Sequence, residues 1–75
     1  MTKKRLSELS VGKSCRVVSL LADGGMRRRL LDLGICPGTT VSCVGRSPLG
    51  DPLAFLVRDT EIAIRRRDAA DIIVE

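Results

Sequence analysis

The length of the chain is the feature that most restricts its fold. Seventy-five residues can build one hydrophobic core, and a domain of this size buries only about 60% of the surface that its unfolded chain exposes. Apolar residues make up 44% of the sequence and charged residues 29%, a balance that supports a core and argues against disorder. We therefore expect residues 1–75 to form a single globular domain.

The residue types that are missing exclude several kinds of chemistry. The sequence has no His, Trp or Tyr, and Phe55 is its one aromatic residue. Without His, no Ser-His-Asp or Cys-His catalytic arrangement and no His-ligated metal site can form. Cys15, Cys36 and Cys43 are odd in number and include no C-x-x-C pair, so we expect reduced thiols and no metal site. The sequence predicts neither an enzyme nor a bound cofactor.

The N-terminal residues do not match an export signal. Lys3, Lys4 and Arg5 form a basic start, but Glu8 follows where the apolar segment of a signal peptide would lie. No apolar run approaches the roughly 20 residues that span a bilayer. We expect a cytoplasmic protein without direct membrane insertion.

Alternating apolar and β-branched residues predict five short strands. In the first strand, alternation places Cys15, Val17 and Ser19 on one face and Leu20 on the other. The clearest pair is a hairpin with its turn at Asp59 and Thr60. The five predicted strands cover residues 15–20, 39–46, 53–58, 61–65 and 72–74.

One amphipathic helix is predicted between the first two strands. Met26, Leu30 and Leu33 recur at i, i+4 and i+7, and Gly34 follows as a helix terminator. An open sheet of five short strands would leave its edges exposed, so we expect the sheet to close. The predicted fold is mainly β, a small SH3-like barrel of about five strands with one short α-helix inserted after the first strand. Seven residues are expected in its core: Val17, Leu30, Val41, Phe55, Ile62, Ile64 and Val74.

Three segments, in order, resemble a known sequence pattern. Residues 29–38 look like R-L-x-x-L-G-I-x-P-G, residues 48–52 resemble P-x-G-D-P, and residues 62–74 resemble closing I-A-L-R, A and I-x-V elements. This pattern is that of the FeoA family, small cytoplasmic proteins of bacterial ferrous-iron uptake. The resemblance implies an SH3-like fold, no catalytic residue, and a partner, the membrane transporter FeoB, whose cytosolic part includes a GTPase domain.

Six residues are candidates for contact with that partner. Consecutive helical residues turn by about 100°, so at most two of Arg27, Arg28 and Arg29 can share one surface. Alternation along the helix and the last strand places Leu31 and Ile73 off the predicted core faces, and Leu49 lies at a loop tip. The same residues are also consistent with an ordinary solvated surface. The candidate set is Arg27, Arg28, Arg29, Leu31, Leu49 and Ile73.

Two further interactions follow from the same sequence. An exposed strand edge at Ile73 could add to a second copy of the chain and form a homo-oligomer. A net charge of +4 and the fold's resemblance to the C-terminal module of iron-dependent transcriptional repressors are consistent with a nucleic-acid-binding or regulatory module. The absence of aromatic stacking residues and of a recognition helix argues against nucleic-acid binding.

A partial phosphate-binding motif is the one sequence feature that points to an enzyme. Gly12, Lys13 and Ser14 end like a P-loop, but Ser7 stands where the first Gly of that motif is required, and a strand follows. The sequence and the resemblance together predict a non-enzymatic cytoplasmic adaptor of ferrous-iron uptake. We expect it to dock on a FeoB-type transporter and to modulate transport or GTP hydrolysis.

Overall fold

The computed structural model describes residues 3–75, which form six short strands, two helices and a 3₁₀ turn. All strand pairs are antiparallel and belong to one sheet. The mainly β fold with one helix after the first predicted strand is therefore confirmed. The predicted closure of the sheet is not seen, because among residues 3–75 no pairing joins its two outer strands. The elements are β1 (Lys4–Arg5), the 3₁₀ turn (Leu6–Glu8), β2 (Ser14–Leu20), α1 (Gly24–Asp32), β3 (Thr40–Arg46), β4 (Leu53–Val57), β5 (Thr60–Ile64), α2 (Arg66–Ala69) and β6 (Ile72–Val74).

The strand β1 was not expected from the sequence. Lys4 lies opposite Val74, and Arg5 lies opposite Ile73. Both residues of β1 are exposed, so the strand has no alternation of apolar and polar side chains that could predict it. Its pairing places β6 between β1 and β2, and the expectation that Ile73 lies at an exposed strand edge is wrong.

A bulge in β2 reverses the predicted alternation of its side chains. Val17 lies opposite Val74 while Ser19 lies opposite Ile73, so β2 advances by two residues for one on β6. Leu20 is buried together with Cys15 and Val17. The prediction that placed Leu20 on the other face is therefore wrong, because the extra residue in β2 turns the rest of the strand by one position.

The hairpin of β4 and β5 turns one residue earlier than predicted. Val57 lies opposite Thr60, and the two residues between them, Arg58 and Asp59, have positive φ angles of 50° and 66°. A two-residue loop with two positive φ angles is the type I′ turn, whose twist matches that of antiparallel strands. Thr60 is therefore the first residue of β5 and does not belong to the turn.

The core is filled by aliphatic side chains around a single aromatic ring. Phe55 on β4 is fully buried and lies opposite Cys43 on β3 and Ile62 on β5. Six of the seven predicted core residues are buried, and Ile62 is partly buried against them. The buried set is Leu6, Leu9, Cys15, Val17, Leu20, Leu30, Ile35, Val41, Cys43, Leu53, Phe55, Val57, Ile64, Ala69, Ile72 and Val74.

The helix α1 ends in a Schellman motif at Gly34, as the glycine predicts. The Gly34 N–H donates to the Leu31 carbonyl at 3.0 Å, and the Ile35 N–H donates to the Leu30 carbonyl at 3.0 Å. The φ of Gly34 is +95°, and Leu30 and Ile35 are both buried. Leu33, expected to face the core, is 37% exposed, because the turn at Gly34 directs Ile35 inward instead.

The loop between β3 and β4 is attached to α2 through Arg66. The Arg66 N–H donates to Asp51 Oδ1 at 2.9 Å, and Arg66 Nη2 donates to the Gly50 carbonyl at 3.1 Å. Asp51 thereby satisfies one of the N–H groups that the first turn of a helix leaves without a partner. The G-D-P segment of this loop thus has a structural function.

Neither helix of the described chain has the length and apolar character needed to cross a membrane.

Candidate functional site

The three arginines of α1 do not all share one surface. All three are exposed. Arg27 and Arg28 line a shallow cleft beside Leu31, whereas Arg29 lines a separate cleft beside Leu30. Arg27 Nη1 also donates to the Leu20 carbonyl at 3.4 Å, so Arg27 holds the start of α1 against the end of β2. Arg28 and Arg29 are thus presented on two separate surfaces.

We define the α1–β5 cleft as the depression between α1, the end of β5 and the start of α2. Its volume is about 210 Å³. Aliphatic residues from both sides line it, together with the charged residues Arg29, Arg65 and Asp68. The full lining is Met26, Arg29, Leu30, Leu33, Pro52, Ala63, Ile64, Arg65 and Asp68.

The α1–β5 cleft brings together residues that are far apart in the sequence. Arg29 belongs to the arginine run of α1, and Arg65 lies between β5 and α2. Nothing in either segment of the sequence shows that the fold places Arg29 and Arg65 beside the same cleft. Arg65 was therefore missed as a candidate, and so were Met26 and Leu33 as parts of an exposed surface.

The three aliphatic candidates do not share one surface. Leu31 is partly buried and packs against the core, so the prediction that it points away from the core is wrong. Leu49 is 94% exposed at the tip of the β3–β4 loop. Ile73 is half-buried in β6, and the cleft that Leu31 lines includes neither Leu49 nor Ile73.

The three cysteines occupy two different environments. Cys15 and Cys43 are buried core residues whose thiols donate weakly to the Val41 and Gly45 carbonyls, each at 3.7 Å. Cys36 is half-buried in the turn that follows α1. Within residues 3–75, no three Cys, Asp or Glu side chains are grouped so that they could hold a metal ion.

Burial raises the pKa of the Cys15 thiol above its ordinary value of 9.0, and the neighbouring Cys43 adds to this shift. The folded chain therefore keeps Cys15 protonated at a pH where the unfolded chain ionises it. This contribution to stability is fully present below about pH 9 and is lost as the pH rises through the pKa of the folded state. We expect the free energy of unfolding, from urea titrations, to fall from pH 9 upward.

The variant Cys15→Val is the matched control for this pH dependence. It removes the thiol and keeps a small apolar side chain in the core, and the chain has no Tyr that would titrate in the same range. We expect its stability to fall less steeply above pH 9 than that of the parent chain. Parallel curves for the two proteins would show that Cys15 has no part in the effect.

The Gly12-Lys13-Ser14 segment is a turn before a strand. Gly12 has a φ of +90°, its N–H donates to the Cys43 carbonyl at 2.8 Å, and β2 begins at Ser14. A P-loop instead directs its backbone N–H groups into the N-terminus of a helix. The segment therefore forms the turn that leads into β2 and is hydrogen-bonded to β3, and it lacks the geometry of a phosphate site.

The sequence matches a known family over almost its whole length. Residues 4–75 match the FeoA domain. A protein from Porphyromonas gingivalis (strain ATCC BAA-308 / W83), described as an Fe(2+) transport protein A/Fe(2+) transporter FeoB fusion protein, is 39% identical over 71 residues. The matched region covers 95% of this chain and 8% of the fusion protein, so the chain corresponds to a small part of that relative.

Solved structures share the fold. The NMR structure of a FeoA-like protein from Clostridium acetobutylicum is 33% identical, with a TM-score of 0.90 over 100% of this chain and 88% of that chain. The crystal structure of Stenotrophomonas maltophilia FeoA complexed with zinc, described as a prokaryotic SH3 domain protein, is 35% identical. Its TM-score is 0.84, over 95% of this chain and 88% of that chain.

A manganese-dependent transcriptional repressor also has a similar fold. It is 17% identical, with a TM-score of 0.88 over 100% of this chain and 37% of the repressor. Identity at this level shows a common fold and carries no argument about function. By contrast, the family match over residues 4–75 and the relative that is 39% identical agree with each other and with the SH3-like architecture. The chain therefore belongs to the FeoA domain family.

Proposed function

We propose that this chain is a non-enzymatic accessory domain of bacterial ferrous-iron uptake that docks in the cytoplasm on a FeoB-type transporter. The observation that carries the proposal is the Porphyromonas gingivalis relative, in which a domain 39% identical to this chain is fused to the FeoB transporter. Fusion holds two parts at a high effective concentration, which favours parts that act on one another.

The exposed side chains of α1 support the proposed docking. Arg28 and Arg29 are exposed and line two different clefts, and a guanidinium group can bind a carboxylate through two parallel hydrogen bonds. Leu49, at 94% exposure, would add apolar contact area. Arg27, Leu31 and Ile73 remain in the proposed set, but much of their surface is used within the domain itself.

Modulation of transport requires a difference in affinity between two states of the transporter. A domain that binds both states equally well shifts no equilibrium. We therefore propose that the domain binds the cytosolic part of the transporter more tightly in one nucleotide state than in the other. The dissociation constant, measured with GDP and with a GTP analogue bound to the transporter, gives this difference directly.

The test uses the full chain and the purified cytosolic region of the FeoB-type transporter from the same cell. Isothermal titration calorimetry at about 50 mM salt is expected to show binding that weakens at higher salt, because exposed charge pairs are screened. Deletion of the gene for the chain is expected to lower ferrous-iron uptake. Absence of binding at low salt, together with unchanged uptake, would remove the proposal.

A further inference from the structure

The strand β5 forms one edge of the sheet. It is the last strand in the order β1-β6-β2-β3-β4-β5 and pairs with β4 on one side. Among residues 3–75, no strand pairs with its other side. A strand edge of five residues therefore presents backbone N–H and C=O groups that an added strand could use.

The register of the hairpin identifies which backbone groups point outward. In a two-residue hairpin, the pair that flanks the turn is hydrogen-bonded, and hydrogen-bonded and non-hydrogen-bonded pairs then alternate along the strands. Val57 and Thr60 flank the turn of this hairpin. The N–H and C=O groups of Glu61 and Ala63 therefore point away from β4, toward the open side of β5.

The open side of β5 adjoins the α1–β5 cleft. Ala63 and Ile64 line this cleft from the strand, and Met26 and Leu33 line it from the helix. A segment added along β5 would place alternate side chains against these aliphatic groups, since successive side chains of a strand point to opposite faces. The edge supplies hydrogen bonds, and the cleft supplies an apolar contact beside them.

The charge of the cleft favours an acidic segment. Arg29 and Arg65 line it against Asp68, an excess of one positive charge within the lining, and the exposed carboxylate of Glu61 on β5 lies outside this lining. Both arginines are exposed, so each can turn toward a carboxylate of an incoming chain. A basic segment would meet two like charges in the cleft, which disfavours it.

We propose that the β5 edge and the α1–β5 cleft together bind an extended acidic segment of the transporter by strand addition. The proposal rests on the proposed function and specifies its contact surface. Main-chain hydrogen bonds to Glu61 and Ala63 supply affinity, and the aliphatic cleft with Arg29 and Arg65 supplies selectivity. This division of roles is the one that strand addition uses in peptide recognition.

Amide hydrogen exchange tests the backbone part of the proposal. The ¹⁵N-labelled chain is mixed with the purified cytosolic region of the FeoB-type transporter, and exchange rates are compared with those of the chain alone. We expect exchange at Glu61 and Ala63 to slow at least tenfold, because their outward N–H groups become hydrogen-bonded. The amides of Ser10 and Val11, before β2, are expected to change little, since these exposed residues lie outside both the cleft and the proposed set of contact residues.

Charge reversals test the side-chain part. Arg29→Glu and Arg65→Glu are each expected to weaken binding at least tenfold. Arg46→Glu makes the same charge change at an exposed residue of β3 that does not line the cleft, and it is expected to weaken binding less than threefold. All three substitutions lie at exposed positions, where changes in folding stability are usually small.

A proline substitution tests the edge itself. Ala63→Pro removes an outward N–H without removing a hydrogen bond to β4, and proline is tolerated on edge strands in this orientation. We expect at least tenfold weaker binding, with the fold checked by circular dichroism. If Ala63→Pro fails to fold, the exchange rates of the parent chain and the charge reversals decide the question.

The outcomes separate this proposal from the proposed function. Transporter binding with unchanged exchange at Glu61 and Ala63, and with equal effects of Arg29→Glu and Arg46→Glu, would overturn the strand-addition site alone. Absence of any binding would overturn both proposals. Slowed exchange at these two amides in the chain alone, growing with its concentration, would show that a second copy occupies the edge and would overturn the assignment of an acidic partner.

Discussion

Replacement of Phe55 by Ala is expected to leave most of the protein molecules unfolded at 25 °C. Phe55 is fully buried and is the only aromatic side chain in the sequence. Truncation of a buried Phe to Ala costs about 3–5 kcal/mol, because it removes buried apolar area and leaves a cavity. A single hydrophobic core in a chain of this size rarely supplies more than about 3–5 kcal/mol of net stability, so the loss is comparable with the whole.

Far-UV circular dichroism with urea titration measures this effect, since the chain has no Trp or Tyr for fluorescence. Phe55→Leu retains much of the apolar volume and is expected to cost about 1.5 kcal/mol or less. Leu49→Ala alters a side chain that is 94% exposed and is expected to change stability by less than about 0.5 kcal/mol. A folded Phe55→Ala protein with the parent midpoint would refute the central position of this ring.

The central strands could be predicted because each carries its own pattern. In β4, Leu53, Phe55 and Val57 alternate with less buried residues, and all three are buried as expected. The end of α1 was predictable for a similar reason, because Gly34 supplies a φ that other residues rarely adopt. In both cases the signal lies within a few residues and does not depend on the rest of the chain.

Features that depend on pairing between distant segments were not predictable. The bulge that buries Leu20 arises where β2 meets β6, and no residue in β2 itself marks the extra position. The strand β1 exists because Lys4 and Arg5 lie beside β6, although both side chains are exposed. Such features follow from tertiary contacts that override local propensity.

In the candidate site, too, some features could be predicted from the sequence and others depend on contacts between distant segments. The exposure of Arg28 and Arg29 follows from their positions on an amphipathic helix and could be predicted. The placement of Arg65 and Arg29 beside the same cleft could not, because it depends on the path of the chain between distant segments. Leu31 was misjudged for a related reason, since α1 lies against the barrel along a wider stripe than Met26 and Leu30 alone define.

Replacement of Gly34 by Val is expected to give the second largest loss of stability. Gly34 has a φ of +95°, and a non-glycine residue held in such a conformation costs about 1–3 kcal/mol. We expect the upper part of this range, because positive φ is least tolerated by β-branched residues. A Cβ at this position would lie in ordinary van der Waals contact, 3.4 Å from Arg58 Cδ and 3.5 Å from Val57 Cγ1. The further cost comes from the two γ-methyl groups of Val, which extend beyond a Cβ that already touches these side chains.

Two other glycines separate the causes of this loss in the same urea titration. Gly38 has a φ of +93° with nothing within 4 Å of an added Cβ, so Gly38→Val should show the backbone strain without the crowding. Gly25 is the second residue of α1, has no positive φ and has open space around it, so Gly25→Ala should stabilise the chain by about 0.4–1 kcal/mol, because it restricts the unfolded chain. Equal losses for Gly34→Val and Gly38→Val would show that contact with β4 contributes nothing. A stable Gly34→Val protein would refute the left-handed helix end, and with it the turn that directs Ile35 into the core.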